Sequence, residues 1–160
     1  RYDVVHRLQA DFPEASFVLN GGLASWPQID AELTRFTGVM LGRAAYHNPW
    51  LLAAVDRRLF GDPRPAPTRA EVLRALADYA TVRGREGVPV RLVARHALGL
   101  CHGVPGARQY RRLLSDPARL DAAGPGVFLD ALAALERAAS EREVDAACVN
   151  AGAARGAVQA

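Results

Sequence analysis

Two short glycine turns carry the first candidate chemistry. Asn20-Gly21-Gly22 and Gly42-Arg43-Ala44 follow two apolar runs, Ser16 to Asn20 and Gly38 to Leu41. Glycine lets the backbone N–H groups of a turn approach an anion closely, and a helix N-terminus behind the turn adds positive potential. Arg43 adds a guanidinium that can grip phosphate with two parallel bonds. Glycines also end strands for purely conformational reasons, and that account competes at each turn. Two such turns on successive strands, the second with an arginine, keep the phosphate account open. His47 suits either a surface or a pocket wall. Asn48 is read as a helix N-cap before Pro49.

A second kind of chemistry lies further along. From Gly87 to Ser115 there is no acidic residue, while Arg91, Arg95, His96, His102, Arg108, Arg111 and Arg112 all fall there. Arg91 and Arg95 are one helical turn apart. Arg108, Arg111 and Arg112 share a face by i, i+3 and i, i+4 spacing. Tyr110 sits among them. A basic helical surface with an aromatic suits a phosphate backbone. A solvated charged face is the usual alternative, but such faces mix signs. Cys101, His96 and His102 match no zinc spacing, so no metal is expected. Cys101 follows Leu98 and Leu100 and reads as core; Cys148 lies in an Ala-rich tail.

Positioning these groups takes two kinds of structure. Val4, Val5, Leu8 and Phe12 have near-helical spacing closed by Pro13. The two apolar runs read as buried strands. Between them Ser25 and Gln28 fit a capping box, with Ile29, Leu33 and Phe36 facing inward. After Asn48-Pro49, Leu51, Leu52, Val55 and Leu59 give a stripe. Helix, strand, helix, strand, helix with short connections fits βα units of a parallel sheet, a barrel or an open doubly wound fold. Two strands cannot close a barrel. In barrels, the loops after the last two strands often hold a phosphate.

Residues 61–67, Gly-Asp-Pro-Arg-Pro-Ala-Pro, hold three prolines in seven positions and read as a stiff linker. The remainder is helical. Thr68 and Glu71 fit a capping box, followed by Val72, Leu73, Leu76 and Tyr79. A break at Gly84 to Pro89 leads to a helix from about Val90 to Cys101. Gly103 to Gly106 is a turn, a helix runs from near Ala107 to before Asp116-Pro117, and a last helix holds Phe128, Leu129, Leu132 and Leu135. The expected organisation is residues 1–60 as βα units, 61–67 as linker, 68–139 as a helical domain and 140–160 as an Ala-rich tail open to disorder.

Composition narrows the classes. The chain has 160 residues, is 50% hydrophobic and 23% charged, and carries a net charge of +3. That is enough apolar content for a core. No apolar run approaches the roughly 20 residues needed to cross a bilayer. Two cysteines without a CxxC pair give no disulfide framework, so a reducing, cytoplasmic setting is the default. All 20 basic residues are Arg and none is Lys, which reads first as genomic composition bias. The chain opens on Arg1, not Met, and runs directly into a helical pattern, as a cut inside a larger protein would.

The motifs together resemble a known family. Tyr2-Asp3-x-Val5-x-Arg7-Leu8, Asp11-Phe12-Pro13, Leu19-Asn20-Gly21-Gly22, the run Thr37 to Tyr46 and Asn48-Pro49 resemble the barrel end of A-type tRNA-dihydrouridine synthases. Arg95-His96-x-Leu98-Gly99-Leu100, Gly103-x-Pro105-Gly106-Ala107-Arg108-Gln109-x-Arg111-Arg112 and Leu114-Ser115 resemble their C-terminal helical domain. Thr37 stands where the family usually has Asp. The resemblance implies the C-terminal part of a (β/α)8 TIM barrel followed by an all-helical bundle. It implies reduction of uridine to 5,6-dihydrouridine in the tRNA D-loop, at position 20/20a, with FMN as cofactor and NADPH as reductant. By resemblance Asn20, Gly21, Gly22, Gly42 and Arg43 bind the FMN phosphate. Arg108 and Arg111, then Arg112 and Arg95, are expected to contact tRNA. A monomer without metal is expected. The family's proton-donating cysteine belongs to an upstream loop, and neither Cys101 nor Cys148 matches its motif, so an inactive piece is expected. Two rivals stand beside this reading: a non-catalytic RNA-binding helical module, and another FMN-barrel oxidoreductase acting on a small molecule.

Overall fold

The structure, a computed structural model, describes residues 1–156, with side chains as far as Val144. It is mostly helical with one small parallel sheet. The chain divides into two compact units, Arg1–Ala66 and the residues from Pro67 onward.

In the first unit α1 (Tyr2–Asp11) leads to β1 (Val18–Asn20), α2 (Trp26–Leu33), β2 (Gly38–Met40) and α3 (Arg43–His47). Beyond Asn48 the chain forms a 3-10 segment, Pro49–Ala54, and then α4 (Val55–Leu59). The strands pair in parallel, Val18 with Gly38, Leu19 with Val39 and Asn20 with Met40. Successive side chains point to opposite faces of a strand. Leu19 and Val39 therefore turn together into the core with Leu23, Ile29, Phe36 and Leu51, while Val18 and Met40 stay exposed. The expected fully buried strands are thus covered on one face only.

Three local expectations for this unit need correction. The Ser25–Gln28 capping box does not form. The Ser25 hydroxyl donates to Gln28 Oε1 at 3.2 Å, which also accepts from the Ala24 N–H, so Ser25 caps no backbone N–H. The helix expected from Pro49 starts as 3-10, and of its stripe Leu51 is buried while Leu52 and Leu59 are exposed. On α1, Val5 packs on the core but Val4, Leu8 and Phe12 are exposed. The unit is laced by polar contacts instead. His6 Nε2 lies 2.9 Å from Glu32, and Arg58 sits 4.4 Å over the Trp26 ring while bonding Asp30.

The second unit comprises α5 (Arg69–Arg85), α6 (Val90–Ala97), α7 (Ala107–Ser115), α8 (Pro117–Ala123), a 3-10 turn at Gly124–Gly126 and α9 (Val127–Gly156). Thr68 and Glu71 form the full reciprocal capping box at the start of α5, a feature worth about 1 kcal/mol. The buried face of α5 is Leu73, Ala77 and Ala80; Tyr79 is exposed. α5 and α7 both pack on α9, and alanines on the facing sides (Ala77, Ala80, Ala131, Ala134) are buried. α6 stops at Ala97, short of the expected Cys101, and turns follow to Gly106. Helix α8 was not anticipated. Asp116 caps it by accepting from Ala118 and Arg119 N–H, with Pro117 at its first position. Phe128, Leu132 and Leu135 are buried as the pattern implies, whereas Leu129 is exposed. α9 continues past Ser140 to Gly156; the end of the Ala-rich tail lies outside the described residues, as does the Cys148 side chain.

Candidate functional site

Parallel pairing fixes where the glycine turns go. Both strands end at the same edge of the sheet, so the turns after Asn20 and Met40 emerge side by side, where open α/β sheets bind ligands. Gly21 and Gly22 have φ of 141° and 67°, conformations that L side chains adopt rarely. The two turns border one cleft of ≈ 480 Å³, lined by Asn20, Gly21, Gly22, Leu23, Ala24, Met40, Gly42, Arg43, Ala44 and His47. All five residues expected to hold a flavin phosphate lie on that one wall.

The lining suits an anion. Arg43 is exposed and, among the described residues, makes no ion pair. Among the described residues no acidic side chain lines the cleft. A Cβ built on Gly21 or Gly42 would meet nothing within 4 Å. The space in front of both turns is therefore open, as close approach by a ligand requires. Gly42 is the N-cap of α3, whose first N–H groups receive no side-chain cap. Donors and a cation thus face an open volume, a fit for a phosphate group. His47, undecided from the sequence, is a wall of this cleft, one turn beyond Arg43 on α3.

The basic stretch is distributed over two helices. α6 presents Arg91 and Arg95; α7 presents Arg108, Arg111 and Arg112, and all five are exposed. Gly106, Arg108, Gln109, Arg112 and Ser115 border an open depression on α7. Among the described residues none of these five guanidiniums has a hydrogen-bond or ion-pair partner, unlike Arg58, Arg64 and Arg83, which pair with Asp30, Asp62 and Glu86. Tyr110 departs from expectation. It is wholly buried, and its hydroxyl donates to the Ala97 carbonyl at 2.7 Å. The aromatic belongs to the core because 107, 110, 113 and 114 share the inner face of α7. Burial pushes the Tyr110 hydroxyl well above the usual phenol range, with Cys101 beside it adding to the shift. Cys101 is itself fully buried, and that burial raises its thiol. A buried thiol held protonated is a poor nucleophile. Among the described residues no group of three His, Cys, Asp or Glu side chains gathers to hold a metal, and no helix is long and apolar enough to cross a membrane.

A family model described as Dihydrouridine synthase (Dus) matches residues 1–140. The chain belongs to the dihydrouridine synthase family. It is similar to the tRNA-dihydrouridine(20/20a) synthase of Pseudomonas putida, 44% identical over 136 residues, which is 85% of this chain and 40% of that protein. The same-named protein of Pseudomonas syringae pv. tomato is 50% identical over 115 residues, 72% of this chain and 34% of the relative. That of Escherichia coli K12 is 41% identical over 131 residues, 82% of this chain and 38% of the relative. The chain thus spans 34 to 40% of the length of these relatives. Both the glycine-turn cleft and the α7 arginines fall inside the family match.

Proposed function

We propose that this chain supplies part of a flavin-dependent tRNA-dihydrouridine synthase that reduces uridine to 5,6-dihydrouridine in the tRNA D-loop, at position 20/20a. In this reading residues 1–60 are the C-terminal βα units of a (β/α)8 barrel, 61–67 a linker and 68–139 a helical tRNA-binding bundle. The observation that carries it is the meeting of Asn20-Gly21-Gly22 and Gly42-Arg43 at one open, acid-free cleft.

When bound, FMN reduced by NADPH supplies the hydride that saturates the uracil ring. The residues of this chain do the holding. Backbone N–H groups of the two glycine turns donate to the phosphate, and the Arg43 guanidinium adds a charge-assisted bond. Arg108 and Arg111, with Arg112 and Arg95, engage tRNA phosphates and so fix the register of the RNA. In this reading the ring proton comes from a cysteine outside this chain, since Cys101 is sealed in the helical core, where no substrate reaches it. The working molecule is a cytoplasmic monomer.

The deciding experiment is dihydrouridine mapping in tRNA from a strain lacking the gene. Loss of the modification at position 20/20a, restored by the full gene, is the expected result. An unchanged dihydrouridine content, with a flavoprotein still recovered, transfers the reading to a small-molecule oxidoreductase.

A further inference from the structure

We propose that Tyr2 is a positioning residue of the first glycine turn, holding the Gly22 N–H toward the cleft. The inference rests on the phosphate reading above. It begins with one contact: the Tyr2 hydroxyl, on α1, donates to the Gly21 carbonyl. The Gly21–Gly22 peptide is planar, and in a trans peptide the C=O and the next N–H point in opposite directions. Tyr2 is not among the residues that line the cleft, whereas Gly21 and Gly22 are. With the carbonyl anchored to Tyr2, which does not line the cleft, the Gly22 N–H is left pointing the opposite way, and we take that direction to be the cleft. Consistent with this, the Gly22 N–H donates to no backbone acceptor among the described residues.

Two further observations place the hydroxyl firmly. A Cβ on Gly22 would lie 3.0 Å from the Tyr2 oxygen, so the phenol rests against the turn at both glycines. The Tyr2 ring stacks on His6 at 6.3 Å, His6 stacks on Phe36 at 5.6 Å, and Phe36 is core. Consecutive glycines with positive φ leave a turn many conformations. A bond from a braced side chain selects one of them before ligand arrives, the kind of preorganisation that raises affinity without a new contact.

The test uses a protein of the relatives' full length carrying this sequence, stripped of flavin. FMN and riboflavin affinities are titrated by flavin fluorescence for the wild type, Tyr2→Phe and Arg43→Ala. Phe keeps the ring and its stacking and removes only the donor. The expected result for Tyr2→Phe is an FMN affinity lower by ~3- to 10-fold, the scale of one neutral hydrogen bond, with riboflavin affinity unchanged. A merely structural role would lower both flavins by the same factor, and that outcome overturns the proposal. Selective FMN loss in Arg43→Ala with no loss in Tyr2→Phe overturns it while leaving the phosphate reading intact. No FMN loss in either variant removes the phosphate reading and this inference with it.

Discussion

The hydroxyl of Tyr110 and the carbonyl of Ala97 meet at 2.7 Å in the core of the helical unit. Ala97 is the last residue of α6, where carbonyls lose their intrahelical partners. The Ala97 carbonyl accepts from the Leu100 N–H at 3.0 Å, and Tyr110, on α7, adds a second donor to it across the intervening turns. Both residues are buried, so water cannot replace the bond. Tyr110→Phe should therefore cost about 0.5–1.5 kcal/mol, the net contribution of one buried hydrogen bond, because the Leu100 N–H still satisfies the carbonyl. Urea denaturation would read this as a lower midpoint with an unchanged slope. An unchanged midpoint would show that the Leu100 N–H alone suffices for the Ala97 carbonyl.

Gly106 makes a second sharp stability prediction. It starts α7 at φ 76°, and a Cβ there would lie 2.9 Å from the Ala138 Cβ and 3.2 Å from the Ala134 carbonyl oxygen on α9. Gly103 has a similar φ of 74° but open space around it. Gly103→Ala should cost about 1–2 kcal/mol, the left-handed penalty alone. Gly106→Ala adds a clash with helix backbone, for a total of roughly 2–5 kcal/mol. Thermal midpoints of the two variants should fall in that order. Equal losses would mean that α9 moves aside freely.

Patterns that local physics completes were legible in the sequence. The Thr68–Glu71 box forms as read, with the Thr68 hydroxyl accepting from the Glu71 N–H and the Glu71 carboxylate accepting from the Thr68 N–H. The glycine turns were readable because strands ending in Gly have few alternatives. Part of what escaped depended on neighbours distant in sequence, and part on local signals that read two ways. Tyr110 reads as part of a basic face until α6 and α9 are in place to bury it. Ser25 and Gln28 have the spacing of a capping box, yet the serine proton goes to the glutamine side chain. Helix α8 is short, and its signal, Asp116-Pro117, reads equally well as the end of α7. Tyr2 gave no sign of its bond to Gly21, 19 residues away. His47 needed the parallel pairing before its place on the cleft wall could be known.

The cleft prediction concerns cofactor affinity. In a full-length protein Arg43→Ala should weaken FMN binding by roughly 1.5–3 kcal/mol, the scale of a charge-assisted hydrogen bond. Gly21→Val should be at least as damaging. Its φ of 141° is hostile to a β-branched residue, and the added side chain would enter the open space before the turn. Fluorescence titration of flavin measures both. Wild-type affinity in both variants would remove the phosphate from this cleft.

The α7 prediction concerns tRNA. Arg108 and Arg111 are exposed and, among the described residues, unpaired, so their charges are available to phosphates. Each phosphate contact releases counterions, which gives a log–log salt slope of about −0.7 per contact on single-stranded RNA. Arg108→Ala or Arg111→Ala should flatten the slope by up to about one unit and weaken all tRNAs similarly. Arg108→Lys should also lose affinity despite keeping the charge, because the planar fork that engages two oxygens is gone. Arg58→Ala is the control. That guanidinium is already committed to Asp30 and the Trp26 ring, so tRNA affinity should change little. The measurement is binding by the full-length protein at several salt concentrations. If both alanine variants keep the wild-type affinity and slope, the α7 arginines are solvated rather than RNA-bound, and the RNA surface has to be sought elsewhere in the protein.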